Sequence, residues 1–215
     1  MENSSAGSVA EVYDLILKYR FSILGALSLP IRHCLASAES GTEQIRMVYS
    51  HPQALRQCSG FLSRSGWETK ACSSTTEAAH LAEHPGVGAV CSTCAAKEHG
   101  LSILAQDIQN VSGNRTRFIA IGKKLYLPQD ADKISVCFAL PHRTGTLYGA
   151  LARFAAAGLN LTKIESRPIP GRNFEYDFYL DFSGNVYDAK TFDLLCALSD
   201  ELPRFTFLGN YREDS

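Results

Sequence analysis

The order of predicted helices and strands changes near residues 128–130. This change divides the chain into two regions of different architecture. Before it, strand and helix patterns alternate, and repeated β-then-α order is typical of an α/β region with a largely parallel sheet. After it the order is strand, helix, strand, strand, helix, strand, which is the ferredoxin-like unit. We therefore predict two domains, at residues 1–127 and 133–212.

Size and charge exclude several classes of protein. With 215 residues, 45% of them hydrophobic, the chain has enough apolar material for two modest cores and is not mainly disordered. Its formal net charge of −1 argues against nucleic acid as a partner, because phosphate binding needs a basic face. No apolar run approaches the roughly 20 residues of a membrane span, and the N-terminus lacks the pattern of a signal peptide.

The seven cysteines do not have the arrangement of a disulfide framework. Their number is odd, and most lie in apolar periodic runs, where a free thiol packs as a small hydrophobe. Because structural disulfides are rare in the cytosol, free thiols predict a cytoplasmic protein.

Small polar clusters stand at four junctions of the first region. Open α/β sheets bind ligands beyond the carboxyl ends of their strands, where helix N-termini offer free N–H groups. Hydroxyls and amides there suit a small anionic ligand; the alternative is that each cluster only caps a helix. The clusters occupy residues 2–5, 50–53, 73–76 and 114–117.

Two further patterns are weaker candidates. Cys91 and Cys94 form a C-x-x-C motif, but no second ligand pair with zinc-finger spacing follows, so core packing is the favoured interpretation. His80 and His84 have the i, i+4 spacing of a metal pair on a helix. No third ligand is local in the sequence, so a solvated helix face is favoured and no metal is predicted.

Taken in order, the polar clusters resemble the prephenate dehydratase family. The resemblance covers essentially the whole chain, with the first region similar to the later part of the dehydratase domain and the second similar to an ACT domain. The matching segments are Glu2-Asn3-Ser4, Gly7-Ser8-Val9, residues 50–55, Gln57-Cys58, Ser74-Thr75, residues 77–79, residues 114–118, residues 149–152 and residues 165–168.

The resemblance implies a reaction and a set of residues. The family converts prephenate to phenylpyruvate, CO2 and water without a metal or organic cofactor. Its T-R-F motif provides the catalytic threonine, here Thr116, and Arg117 either binds a substrate carboxylate or braces the loop. The other expected substrate-binding residues are Glu2, Asn3, Ser4, Gln53, Ser74 and Thr75.

The ACT resemblance implies feedback inhibition by L-phenylalanine bound between paired domains, in a homodimer or homotetramer. An ACT fold used only for dimerisation is the alternative. The chain has Ala152 where the family usually has Val, which removes an apolar contact. The expected effector-binding residues are Gly149, Ala150, Leu151, Ala152, Glu165, Ser166, Arg167 and Pro168.

The resemblance also marks a departure. Family dehydratase domains have two periplasmic-binding-protein-like lobes, and most of the first lies upstream of the E-N-S motif at which this chain begins. We therefore expect poor activity for the chain alone, and an exposed edge at the strand near residues 117–121. A non-catalytic phenylalanine-sensing fragment and an arogenate dehydratase remain as alternative functions.

Overall fold

The computed structural model describes residues 2–4, 7–9, 11–169, 171–172 and 174–214. Ser5, which belongs to the first polar cluster, lies outside them. The strands are β1 (Glu2–Asn3), β2 (Gly7–Ser8), β3 (Ser22–Pro30), β4 (Cys34–Ser37), β5 (Met47–Ser50), β6 (Glu68–Ala71), β7 (Val87–Cys91), β8 (Ser102–Ala105), β9 (Arg115–Gly122), β10 (Lys133–Ala139), β11 (Leu161–Pro168), β12 (Tyr176–Ser183), β13 (Thr206–Tyr211) and β14 (Glu213–Asp214). The α-helices are α1 (Glu11–Tyr19), α2 (Pro52–Gln57), α3 (Ser59–Leu62), α4 (Thr75–Leu81), α5 (Thr93–Glu98), α6 (Thr146–Ala156) and α7 (Ala189–Glu201).

The chain divides into two compact units, one formed by residues 30–115 and the other by residues 1–29 together with 116–215. These units cut across the predicted division near residues 128–130, because the beginning of the chain packs with its later part. The division into family domains at 1–127 and 133–212 stays a prediction.

The unit of residues 30–115 holds a sheet in the order β6-β5-β7-β4-β8. Strand β5 runs parallel to β6 and β7, whereas β4 pairs antiparallel with both β7 and β8. The prediction of a largely parallel sheet is therefore right for β5 to β8 and wrong for β4.

The other unit contains a sheet in the order β14-β3-β9-β1-β2. Strand β9 lies between β3 and β1, and the described part of β1 pairs with it at Thr116 and Arg117. The expectation of an exposed edge is therefore wrong for Arg117, and for residues 118–121 it stays a prediction. The neighbours come from distant parts of the chain, since β3 precedes β9 by more than 80 residues and β1 lies at the start. Sequence periodicity does not show such long-range pairing.

The predicted βαββαβ order is confirmed in this same unit. Strands β10 to β13 form an antiparallel sheet in the order β11-β12-β10-β13, which is the ferredoxin-like arrangement. Its first face packs on α6 and α7 through residues such as Phe154 and Leu198, and its second face packs on α1 and β3 through Ile16 and Ile23. Because both of its faces are buried, this sheet lies at the centre of the hydrophobic core of the unit.

In the part of the chain that the structure describes, no helix combines the length and apolar character needed to cross a membrane. Residues 52–62 form two short helices, α2 and α3, which meet at Cys58.

Candidate active site

Thr116 and Asn3 lie opposite each other on paired strands. Strand β9 pairs antiparallel with β1, with Thr116 opposite Asn3 and Arg117 opposite Glu2. The Asn3 side-chain amide donates a hydrogen bond to Thr116 Oγ1 at 2.8 Å, and Thr116 is buried. A hydroxyl oxygen that accepts a hydrogen bond becomes a stronger donor through its own proton, because the bond polarises the O–H group. The arrangement therefore favours proton donation by Thr116.

Arg117 points away from Thr116, because successive side chains of a strand alternate between its two sides. Its Nη1 donates to Asp181 Oδ2 at 2.6 Å and its Nη2 to the Tyr211 hydroxyl at 2.6 Å, while Nε lies 2.8 Å from Glu213 Oε1. The Ser135 hydroxyl joins the same group, 2.5 Å from Asp181 Oδ1 and 2.7 Å from the Tyr211 hydroxyl. The two Nη atoms are thus held by hydrogen bonds to β12 and β13, whereas Nε makes an ion pair with β14 without a hydrogen bond.

Lys163 forms a second buried cation next to this network. Its Nζ lies 3.2 Å from Glu2 Oε2 and 3.2 Å from Glu165 Oε2, and it donates hydrogen bonds to the Tyr13 hydroxyl at 2.5 Å and to Ser8 Oγ at 2.8 Å. Its side chain is only 9% exposed. Lys163 thus joins β11 to β1, β2 and α1.

The surroundings keep both cations charged. Burial alone would lower the pKa of Arg117, but Tyr211 and Asp181 outweigh it and raise that pKa above its ordinary value. Burial likewise opposes the charge of Lys163, yet the hydrogen bond to Tyr13 and the nearby Glu2 raise its pKa overall. Since these cations already face carboxylates, they are placed to hold the strands together.

The predicted residues of the unit of 30–115 stand where strands of its sheet pass into helices. His51 caps α2, its Nδ1 accepting the Gln53 N–H at 3.2 Å. Ser74 caps α4 by accepting the Glu77 N–H at 3.0 Å, as the capping interpretation expects. Strands β5 and β6 run parallel, so Gln53, Ser74 and Thr75, which follow them, lie at the same end of this sheet, beyond the carboxyl ends of the two strands.

The predicted effector residues divide between the two faces of the ferredoxin-like sheet. Residues 149–152 lie on α6, on the first face. Glu165 and Arg167 lie opposite Tyr179 and Asp177 in the register of β12, on the second face, where Arg167 pairs with Asp14 at 2.9 Å. Ser166 and Pro168 alternate with them and share the α6 side. The structure therefore does not bring the Glu165 and Arg167 side chains to residues 149–152.

The weaker sequence candidates have mixed outcomes. Cys91 is buried as expected, but Cys94 is exposed, so core packing is wrong for the second thiol. His80 is exposed on α4, as the solvated-face interpretation expects. Its neighbours, however, are Glu83 and His99 rather than His84. His99 lies 19 residues along the chain, beyond the reach of helical spacing.

Sequence reasoning missed the residues that hold Arg117 and Glu2 in place. Asp181, Tyr211, Ser135 and Lys163 carry no motif and lie on strands that were predicted only from their apolar alternation. One signal was available. These polar residues stand at positions that the alternation assigns to a buried face, and buried charges are normally paired, so each indicated a buried partner.

Comparison with known proteins identifies the family. The family model described as "Prephenate dehydratase" matches residues 1–125, which include β1 and β9. The chain belongs to the prephenate dehydratase family. Among its relatives, a prephenate dehydratase of Methanocaldococcus jannaschii is 38% identical over 98% of this chain and 79% of its own length. Arogenate dehydratase 2 of Petunia hybrida is 39% identical over 100% of this chain. The chain spans only 60% of that protein's length.

Two solved structures share the fold of this chain. A prephenate dehydratase from Arthrobacter aurescens, in complex with L-Phe, is 30% identical, with a TM-score of 0.83 over 96% of this chain and 71% of its own. A protein described as GqqA, a novel type of quorum quenching acylase, is 28% identical, with a TM-score of 0.86 over 98% of this chain and 79% of its own.

Proposed function

We propose that the chain acts in the decarboxylative dehydration of prephenate to phenylpyruvate. The observation that carries the proposal is the buried Thr116 hydroxyl, which accepts a hydrogen bond from Asn3 on the neighbouring strand. Membership of the prephenate dehydratase family supports it.

The proposed chemistry needs a proton donor. The ring hydroxyl of prephenate leaves poorly unless it is protonated, so the Thr116 hydroxyl gives its proton to that oxygen while the C–O bond breaks. The bond from the ring to the carboxylate breaks as well, CO2 leaves, and its electron pair completes the aromatic ring. Thr116 then regains a proton from solvent. Thr is a weak acid at neutral pH, so its positioning must supply much of the rate.

We assign Arg117 to bracing rather than to substrate binding, because its nitrogens are held by Asp181, Tyr211 and Glu213. Glu2 is likewise engaged by Lys163. For Ser4, Gln53, Ser74 and Thr75 a role in substrate binding rests on the resemblance to the family.

The test compares three forms of the purified chain in an assay of phenylpyruvate formation from prephenate. We expect Thr116→Ala to lower kcat by about 100-fold or more, and Thr116→Ser, which keeps the hydroxyl, to retain far more of it. Equal turnover in all three would remove Thr116 from its role. No turnover, with L-phenylalanine still bound, would favour the non-catalytic sensing fragment if turnover stayed absent when the upstream part of the first lobe is supplied.

Arogenate is the second candidate substrate, because a relative 39% identical over the whole chain is an arogenate dehydratase. Arogenate differs from prephenate by an amino group in place of the side-chain ketone, and the proposed chemistry at the ring is the same. The ratio of kcat/KM for the two substrates decides between them.

We also propose inhibition by L-phenylalanine in a homodimer or homotetramer, through an ACT domain at residues 133–212. The support is the ferredoxin-like fold and the 30% identical Arthrobacter protein solved with L-Phe. Because Ser166 shares the α6 side of the sheet, we expect Ser166→Ala to weaken inhibition while sparing turnover. We expect Glu165→Gln, on the other face, to act through Lys163 on Glu2 and so to change turnover as well.

A further inference from the structure

Three potential metal ligands meet on the surface of the unit of residues 30–115. Glu83 Oε1 lies 2.7 Å from His99 Nδ1 and 3.4 Å from His80 Nδ1, and the three ligand atoms all lie within 4.8 Å of one another. The rings of His80 and His99 are 5.9 Å apart between centroids. Two imidazoles and one carboxylate form a donor set that zinc and its neighbours in the first transition row accept.

The three ligands have firmly held backbones. His80 follows the fully buried Ala78 and Ala79 in α4, and Glu83 directly follows the fully buried Ala82. His99 ends α5, where its N–H donates to Ala95 O at 3.2 Å. The alanines belong to one core cluster. Side-chain rotation is therefore the main adjustment that a bound ion would require.

We propose that His80, Glu83 and His99 bind one divalent transition cation, with Zn²⁺ as the preferred ion and water completing a tetrahedron. Ligands at about 2.0–2.1 Å from zinc stand roughly 3.3–3.4 Å apart at tetrahedral angles. The His80–Glu83 distance of 3.4 Å already meets this value, and the His99–Glu83 distance of 2.7 Å needs a movement of under about 1 Å. The ligand atoms of His80 and His99, which lie within 4.8 Å of each other, would have to approach by up to about 1.5 Å.

The hydrogen bonds within the cluster converge on one atom. Nδ1 of His80 and Nδ1 of His99 both face Glu83 Oε1, so a bound cation would replace the protons that these hydrogen bonds now share. The partial exposure of Glu83, with 42% of its side chain accessible, gives an ion and its water ligands a path to the site. The proposal does not depend on the proposed dehydratase activity.

The test is titration of the tag-free chain with Zn²⁺ by calorimetry, and with Co²⁺ by absorption spectroscopy, in a non-chelating buffer with a phosphine reductant. We expect one site per chain and a tetrahedral Co²⁺ spectrum without the charge-transfer band of a sulfur ligand. Glu83→Gln and His99→Ala should each weaken Zn²⁺ binding more than about tenfold.

His84→Ala and Cys94→Ser are the matched controls, because both residues are exposed and neither belongs to the cluster. We expect each to change Zn²⁺ affinity less than about twofold, well below the effect of losing a ligand. Circular dichroism of each metal-free variant checks that it folds. The absence of a Zn²⁺ site would overturn the proposal, as would unchanged affinity in folded Glu83→Gln and His99→Ala or a sulfur band that Cys94→Ser removes.

Discussion

At the scale of single residues, the alternation of side chains along β9 places the neighbours Thr116 and Arg117 in different surroundings. Thr116 is turned toward Asn3, whereas Arg117 is turned toward Asp181 and Tyr211. The same strand therefore presents the proposed proton donor on one side and the residue that fixes the strand on the other. The T-R pair thus combines the proposed catalytic group with the group that holds its strand in place.

The Asn3 amide provides a prediction at this scale. We expect Asn3→Ala to lower kcat for phenylpyruvate formation by about 10- to 100-fold with little change in KM, because the donor that polarises Thr116 is lost. Asn3→Asp matches the shape of Asn3, but its ionised side chain cannot donate, so it should resemble Asn3→Ala. An unchanged kcat in Asn3→Asp would show that the donated hydrogen bond does not assist the reaction.

At the scale of elements, β9 is held by the ferredoxin-like sheet through one guanidinium. Asp181 of β12 is 5% exposed in its side chain and Arg117 is 14% exposed, so the ion pair is shielded from water. Strands β10, β13 and β14 add Ser135, Tyr211 and Glu213. A disturbance of that sheet is therefore expected to reach the strand of Thr116.

Removing Asp181 tests this brace. We expect Asp181→Ala to lower the free energy of unfolding by up to about 3–5 kcal/mol, because Arg117 loses its most buried carboxylate partner and keeps only the more exposed Glu213 and Glu2. Asp130→Ala is the control. The side chains of Asp130 and Arg212 are 65% and 61% exposed, so loss of this ion pair should lower the free energy of unfolding by less than about 1 kcal/mol. Equal losses in urea unfolding of the two variants would contradict the buried brace.

A close approach of two strands gives a second test for the elements. A Cβ on Gly209 of β13 would stand 2.2 Å from the Ile23 carbonyl oxygen of β3, and backbone cannot yield easily there. We expect Gly209→Ala to lower the thermal midpoint markedly. Gly149→Ala, in α6 with no heavy atom within 4 Å, should leave it unchanged or raise it by the helix propensity of Ala. Similar midpoints would refute the close packing of β3 on β13.

At the scale of the whole molecule, buried acids hold their protons more tightly in the folded chain. Burial raises the pKa of Cys58 to about 12 and that of Cys137 to about 12, from an ordinary 9.0. Burial also raises the pKa values of Tyr13 and Tyr211 above 10.0. The unfolded chain therefore loses these protons first as the pH rises.

Stability should consequently be retained below about pH 9 and fall between about pH 9 and 12. Each buried thiol contributes at most about 1.4 kcal/mol per pH unit in that window. Urea unfolding at a series of pH values measures the slope. Cys58→Ala should make the slope shallower, whereas Cys94→Ala, at an exposed thiol, should not alter it. Equal slopes in the two variants would contradict a raised pKa for Cys58.

The sequence by itself determined the elements and the family motifs. Local periodicity identified α6, α7 and the βαββαβ order, and the Ser74 cap of α4 was readable from neighbours in the chain. Thr116 and Asn3 were recognisable because motif spacing is a property of the chain. Such signals lie within a few residues, where backbone geometry fixes which side chains meet.

Only the tertiary structure decided which distant residues meet. Strand β9 between β3 and β1, Lys163 beside Glu2, and Asp181 on Arg117 all join segments more than 60 residues apart. The antiparallel pairing of β4 with β7 and the proximity of His80 to His99 likewise depend on contacts between distant parts of the chain. These contacts depend on strand order and packing, which are set by the burial of the whole chain and leave no mark on local spacing.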